Sequence, residues 1–288
     1  MKDVRIMAVY GHPDDEGQAT GTLAAFAARG AHVTLVCATR GEVGEISDPS
    51  LATPETLGYV RELELRAAMA QIGVFDVRFL PFRDSGMAGT PENQDPRCLN
   101  AQQPEIVVGQ LVALMRQLRP HIVFTWDPSG GYGHPDHIAV HRHTLAAFDA
   151  CGDPAHFRDA GVPWEPGRLY WGAFPMKRFA GIYLELERRG LLPEGLDPER
   201  RTRFEQAMAA PDAAVSHVVD VREFTEAKRA AAGMHRSQFG ENSLFARIPE
   251  DLRTSFYGEE RFYQARPAVA SLASPHAGLE ALLPPALG

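Results

Sequence analysis

The chain has 288 residues, 44% of them hydrophobic, and a formal net charge of -8. That length fits one large α/β domain, or a domain with a smaller lobe, and the apolar fraction is enough for a sizeable core. The acidic balance, with no Lys/Arg run, argues against nucleic acid as the main partner, and no apolar stretch reaches the length of a membrane span.

Taken in chain order, strands and helices alternate. Arg5–Tyr10 is a compact apolar run that ends at Gly11 and reads as a buried parallel strand. Asp14 and Asp15 follow it too closely for a signal peptide. An alanine-rich periodic stretch over about 16–29 predicts a helix, with Gly30 as its stop. A second strand is expected over 33–38, and a helix over about 55–72, closed by Gly73. A short strand at 77–80 leads into a long loop, 81–103, and connections of that length are usually functional or mobile. The stretch 103–118 reads as an amphipathic helix ended by Pro120. A fourth strand, 121–126, runs into the loop DPSGGYGHPD and then a helix over about 137–148. This alternation predicts a Rossmann-like α/β fold, a parallel sheet sandwiched by helices.

Beyond Cys151 the pattern loosens. Strands are expected over 169–174 and 217–221, a charged helical segment over 177–212 between them, and a further helix over 224–234. The predicted organisation is a catalytic core at 1–175, a smaller C-terminal lobe at 176–270 that completes the cleft, and a flexible Ala- and Pro-rich tail at 271–288. Cys37, Cys98 and Cys151 are too few and too widely spaced for a disulfide framework or a CxxC pair, so a reducing cytoplasm is the expected compartment. Oligomeric state is not legible.

Two segments carry chemistry. One is Gly11-His12-Pro13-Asp14-Asp15-Glu16; the other is Gly130-Gly131-Tyr132-Gly133-His134-Pro135-Asp136-His137. Each follows a predicted strand and precedes a helix, and such loops lie at the carboxyl edge of an open parallel sheet, where ligands bind. Either motif alone has a plainer reading, since Pro and Asp form turns and Asp caps helices. Both together supply the three protein ligands of a catalytic zinc, with His12, Asp15 and His137 completing the set. Asp14 is then left beside the metal, free to take a proton from a nucleophilic water. The donor set also suits iron(II), manganese or cobalt. His141 lies one turn beyond His137, while His32 and His121 read as structural. His235, in MHRSQF after a helix, is within reach of the cleft. No G-x-G-x-x-G follows the first strand, which excludes the usual nicotinamide site.

HPDDE near the N-terminus with GGYGHPDH downstream resembles the LmbE-like (PIG-L) de-N-acetylases. Within that family the chain looks most like the deacetylases of mycothiol and bacillithiol biosynthesis. RDSGMAGT, RPHIVFTWDPSGGYGHPDH and YWGAFP carry the likeness. The resemblance covers residues 3–150 well and the rest more loosely. It implies zinc on His12, Asp15 and His137, and Asp14 as general base. It implies Tyr132 as an oxyanion donor, and His134 as a charged group or proton donor oriented by Asp136, which would raise its pKa. Arg61 and Asp84 are implied to bind substrate. The expected activity is removal of the N-acetyl group from a small amino-sugar, N-acetylglucosaminyl inositol or malate, without a membrane or nucleic-acid partner. The alternatives are an amidase of thiol conjugates and a zinc-dependent carbohydrate-binding protein without turnover.

Overall fold

A computed structural model describes residues 1–173, 176–192, 198–209, 215–240, 243, 247–269, 274–285 and 287. The first apolar run forms β1 (Arg5–Tyr10), buried along all but its first residue. It pairs in parallel with β2 (His32–Cys37) on one side and β4 (Ile122–Thr125) on the other. β3 (Asp76–Phe79) extends the sheet beyond β2, and β5 (Arg168–Gly172) extends it beyond β4, both in parallel. The chain therefore winds outward on one side of β1, then crosses to the other side for β4. At this switch point the loops after β1 and β4 diverge to opposite faces and leave a crevice between them. Those two loops carry the two motifs.

Helices α1 (Thr20–Ala28), α2 (Leu57–Gln71), α3 (Pro104–Leu118) and α4 (Pro135–Ala150) occupy the crossovers. Their boundaries have local causes. Gly73 at φ 74° ends α2, a conformation that glycine adopts at little cost. Pro104 and Pro135 sit in the first turns of α3 and α4, where a missing N–H does no harm. α1 starts later than the periodicity predicts. Asp14 takes φ 113° and residues Asp15–Gln18 form a 3-10 turn, so the chain bends around the crevice before the helix begins.

The second half departs from the expected all-parallel pattern. β6 (His217–Asp220) and β7 (Glu259–Arg266) join the same sheet, β7 running antiparallel to both β5 and β6. A short β8 (His276–Ala277) pairs in parallel with β6. Among the described residues the order is β3-β2-β1-β4-β5-β7-β6-β8. The helices α5 (Met176–Arg188), α6 (Pro198–Ala209), α7 (Thr225–Ala232) and α8 (Glu250–Tyr257) complete the fold. The expected helical segment is thus two helices, and its end at Asp212 lies outside the described residues, as do Phe174 and Pro175 of YWGAFP.

β7 escaped notice because its buried face is Glu260, Phe262 and Gln264 rather than an apolar row. Glu260 accepts from the backbone N–H of Gly21 (2.8 Å) and Thr22 (2.8 Å) at the start of α1 and pairs with Lys228 of α7. That ties the far half of the chain to the helix after the first motif. The expected 176–270 lobe is divided in its packing. Val219, Ala231 and Phe262 belong to the main core, whereas Ile182, Leu186, Ile248 and Tyr257 form a small cluster of their own. The tail expectation is corrected for 276–283: besides β8, Leu279, Leu282 and Leu283 are buried in the main core. Leucines gain more by burial than the surrounding Ala and Pro suggest. No helix among the described residues is long and apolar enough to cross a membrane.

Candidate metal centre

The two motif loops meet. His12 Nδ1 lies 3.0 Å from His137 Nε2. Asp15 Oδ1 is 3.3 Å from His137 Nε2, and Asp15 Oδ2 is 3.7 Å from His12 Nδ1. Donors held ~2.0–2.1 Å from one tetrahedral ion stand ~3.3 Å apart, close to the two separations from His137 Nε2, 3.0 Å to His12 Nδ1 and 3.3 Å to Asp15 Oδ1. All three side chains are buried.

The surrounding hydrogen bonds set which nitrogen of each ring carries its proton. His137 Nδ1 faces the Gly130 carbonyl at 3.1 Å, an acceptor, so Nδ1 is the N–H and Nε2 holds a lone pair. His12 Nε2 faces carboxylates, Asp136 at 3.1 Å and Asp84 at 3.4 Å, so Nε2 is the N–H and Nδ1 holds a lone pair. Two lone pairs therefore point at each other across 3.0 Å beside a carboxylate oxygen. That arrangement is stable only with positive charge between the donors, a shared proton or a metal ion. Asp15 fits the same picture. Its Oδ2 accepts from Gly11 N (3.0 Å), His12 N (2.9 Å) and Trp126 Nε1 (2.9 Å), which leaves Oδ1 as the ligating oxygen. Burial opposes charge on His12, yet Asp84, Asp136 and Asp15 outweigh it and push its pKa up. The pocket calls for positive charge, and the donor set fits a divalent ion. Two other buried groupings have ligand atoms close enough to share one: His12 with His134 and His137, and His12 with Asp84 and Asp136. His12 is common to both, but in the second its Nε2 already carries a proton toward the carboxylates. We therefore favour the Nδ1 side.

Local sequence explains the loop shapes. Asp127 accepts from Ser129 N (2.7 Å) and Gly131 N (3.0 Å), and Gly130, Gly131 and Gly133 all have positive φ. The tight coil that results puts the Gly130 carbonyl under His137. Trp126 stacks on the His137 ring, centroids 3.9 Å apart, while its N–H holds Asp15. Trp126 thus links the two loops. Its position at the end of the fourth strand, directly before DPSGG, was the available signal.

Asp14 stands beside the ligands with a mostly buried carboxyl. Arg61 Nη2 donates to its Oδ2 at 3.1 Å, and no described donor reaches Oδ1. Burial, opposed by Arg61 and reinforced by Asp15, raises its pKa to about 6. Tyr132 is 61% exposed, its ring edge-on to His137 with the centroids 5.2 Å apart.

Four site residues differ from expectation. The Asp136 carboxylate does not orient His134; it accepts from Ser85 N (2.9 Å), Ser85 Oγ and His12. His134 is held instead by the Asp136 backbone N–H, which donates to Nδ1 at 3.2 Å. Its pKa is not raised but lowered to about 4, by burial and by the neighbouring His12 and His137. In the first turn of α4 the Asp136 side chain points inward, away from the cap residue. Arg61 is 4% exposed and donates to the carbonyls of Gly41 (2.9 Å) and Pro13 (2.6 Å) as well as to Asp14. A Cβ at Gly41, itself at φ 64°, would lie 2.2 Å from Arg61 Nη1. Asp84 is also turned inward, accepting from Gly86 N (2.9 Å) and flanking His12. Both side chains are buried, their polar atoms turned toward the first motif loop. Sequence reasoning also passed over Glu16 and Ser85, both buried in the site.

Comparison with known proteins adds to this geometry. A family described as "GlcNAc-PI de-N-acetylase" (PIG-L) matches residues 7–148. The chain is 38% identical over 281 residues to a 1D-myo-inositol 2-acetamido-2-deoxy-alpha-D-glucopyranoside deacetylase of Rhodococcus opacus, covering 93% of this chain and 94% of that one. A protein of the same name from Thermomonospora curvata is 41% identical over 275 residues, covering 90% of each chain. Among solved structures, N,N'-diacetylchitobiose deacetylase from Pyrococcus horikoshii superposes with a TM-score of 0.62 at 21% identity, over 90% of this chain and 83% of that one. At that identity the likeness speaks for the fold.

Proposed function

The chain belongs to the PIG-L (LmbE-like) family of de-N-acetylases, and on that premise we propose that this deacetylase acts on a small N-acetylglucosaminyl compound of the GlcNAc-inositol type, releasing acetate and a free amine. The relatives named for an inositol-linked sugar support the substrate class, since one aligns over 93% of this chain. A place in low-molecular-weight thiol biosynthesis follows from that class. The observation that carries the chemistry is the facing pair of imidazole lone pairs beside Asp15.

In this reading His12, Asp15 and His137 would hold zinc, which when bound would supply Lewis acidity toward the acetamide carbonyl and the attacking water. The chain's own groups do the rest. Asp14 takes the proton of the attacking water at Oδ1, the oxygen that Arg61 leaves free. Its raised pKa suits a base working near neutrality. The water oxygen bonds to the carbonyl carbon, the C–N bond breaks, and Asp14 hands its proton to the leaving nitrogen. His134, neutral because its pKa is low, and Tyr132 supply donors to the developing oxyanion. Asp84 and Asp136 hold the His12 N–H, which fixes the ring and strengthens its basicity.

The test is acetate release by metal-loaded protein from a panel of N-acetylglucosaminides. N-acetylglucosaminyl inositol is expected to give the highest kcat/KM, above the malate compound and plain N-acetylglucosamine. No acetate from any member sinks the reading. Turnover confined to thiol conjugates with larger acyl groups would make the protein an amidase instead.

The same panel tests Arg61. Arg61→Ala removes the charge-assisted hydrogen bond to Asp14, about 1.5–3 kcal/mol, together with the bonds to the Gly41 and Pro13 carbonyls, so a loss of at least about 10–10²-fold in kcat/KM is expected. Because Arg61 acts through Asp14, the loss should be the same factor on every substrate. A markedly larger loss on the inositol compound than on plain N-acetylglucosamine would return Arg61 to the aglycone.

A further inference from the structure

We propose that Glu16 and His235 are positioning residues for Asp14, clamping the backbone turn that presents its carboxyl to the cleft. The proposal rests on the reading of Asp14 as the proton acceptor. Asp14 has φ 113° and ψ -19°, a conformation that L side chains avoid and that persists only where the surroundings hold it. Glu16 supplies one hold: its Oε2 accepts from the Asp14 N–H at 2.9 Å. The other oxygen, Oε1, lies 2.6 Å from His235 Nε2. Glu16 and His235 are 3% and 1% exposed, so this is a closed pair inside the protein.

His235 is itself fixed. It lies just past α7, and the residues after it are bolted to the first half of the chain. Ser237 donates to Glu64 of α2 through its N–H (2.7 Å) and its hydroxyl (2.6 Å). Gln238 Nε2 donates to the Glu45 carbonyl at 2.9 Å, and Ser47 Oγ donates to the Arg236 carbonyl at 2.7 Å. Glu64 is one helical turn from Arg61, which holds the Asp14 carboxylate. α2 therefore secures Asp14 twice, directly through Arg61 and indirectly through the HRSQ segment, His235 and Glu16. Neither Glu16 nor His235 is among the proposed ligands, and neither needs to touch substrate. Their effect belongs in the orientation of Asp14 and hence in kcat. This gives the MHRSQF segment a task that its sequence alone does not suggest.

The experiment compares Glu16→Ala, Glu16→Gln, His235→Ala, His235→Gln, Asp14→Asn and the Asp14→Asn/Glu16→Ala pair, all metal-loaded, reading metal per chain, Tm, KM and kcat. Both alanine variants are expected to lose about 10-fold or more in kcat, with KM and metal content within about 2-fold of the parent. The Glu16→Gln and His235→Gln variants should recover part of kcat. The first keeps an amide oxygen to accept from the Asp14 N–H, and the second keeps an amide N–H to donate to Glu16. In the Asp14→Asn background, Glu16→Ala should cost no further than about 2-fold, because its target is already disabled. A loss that multiplies in the double variant, a change in KM alone, or an unchanged kcat overturns the proposal. If the alanine variants fail to fold, the glutamine variants and the Asp14→Asn/Glu16→Gln pair carry the same comparison. Undiminished kcat in Asp14→Asn is a separate result: it refutes the reading of Asp14 itself, and with it this clamp.

Discussion

Asp14→Asn is expected to keep its metal and to lose at least about 10²-fold in kcat, the low end for removal of a general base. Asparagine has the same shape as aspartate and also tolerates positive φ, so the turn at φ 113° survives. Its side-chain oxygen still accepts from Arg61 Nη2, which now donates to Asp14 at 3.1 Å. The ligand contacts among His12, Asp15 and His137 do not involve the Asp14 side chain. What disappears is the ability to take and return a proton. The native carboxyl is crowded, its pKa raised to about 6 by burial and then by Asp15. A neutral amide relieves that crowding, so Tm should stay level or rise. Metal analysis and kcat on the same sample decide the matter. Near-normal turnover in a metal-loaded variant removes Asp14 from its role; loss of metal would make it a ligand or a prop for one.

Much of the centre was legible because it depends on topology more than on side-chain direction. Two strand-to-helix loops carrying His and Asp must meet if their strands are neighbours, and β1 and β4 pair through Ile6 and Ile122. The deeper contacts were not legible, because they turn on where a side chain points within one turn of backbone. Asp136 is two residues from His134, yet its carboxylate lies with His12 and Ser85 on the far loop. Arg61 sits on a helix whose periodicity suggests an exposed face, but Gly41 admits the guanidinium against the backbone and buries it. β7 was hidden for a related reason. Its inward residues include Glu260 and Gln264, whose partners come from α1, α7 and β5, so the polar groups that mask the strand are satisfied only in the folded chain. Hydrophobic period finds elements that bury apolar faces; it is blind to faces buried through hydrogen bonds.

His12→Ala and His137→Ala are each expected to lose metal and activity together, down to background. Each removes one of two lone pairs that face across 3.0 Å, and the remaining imidazole and Asp15 Oδ1 make a two-donor site, short of the three protein ligands that catalytic zinc uses. His12→Ala also strands Asp84 and Asp136 without the N–H that faces them at 3.4 and 3.1 Å. Asp136→Asn should be milder. It keeps every ligand and weakens the support of His12 along with the carboxylate's bonds to Ser85, a change typically worth about 10–100-fold in metal affinity, so excess metal should restore its turnover. Chelation gives a second readout that does not depend on substrate. An ion bound only by the folded state at about 100 times its Kd adds about 2.7 kcal/mol of stability, so stripping the parent protein should lower Tm. The two histidine variants should show no such drop, because they have no ion to lose. Retention of one ion per chain in His137→Ala would move the centre toward His12, Asp84 and Asp136, the grouping that omits the second loop's histidines. Retention in both variants would mean that the facing imidazoles are bridged by a shared proton, and the case for a metal between these loops would fail.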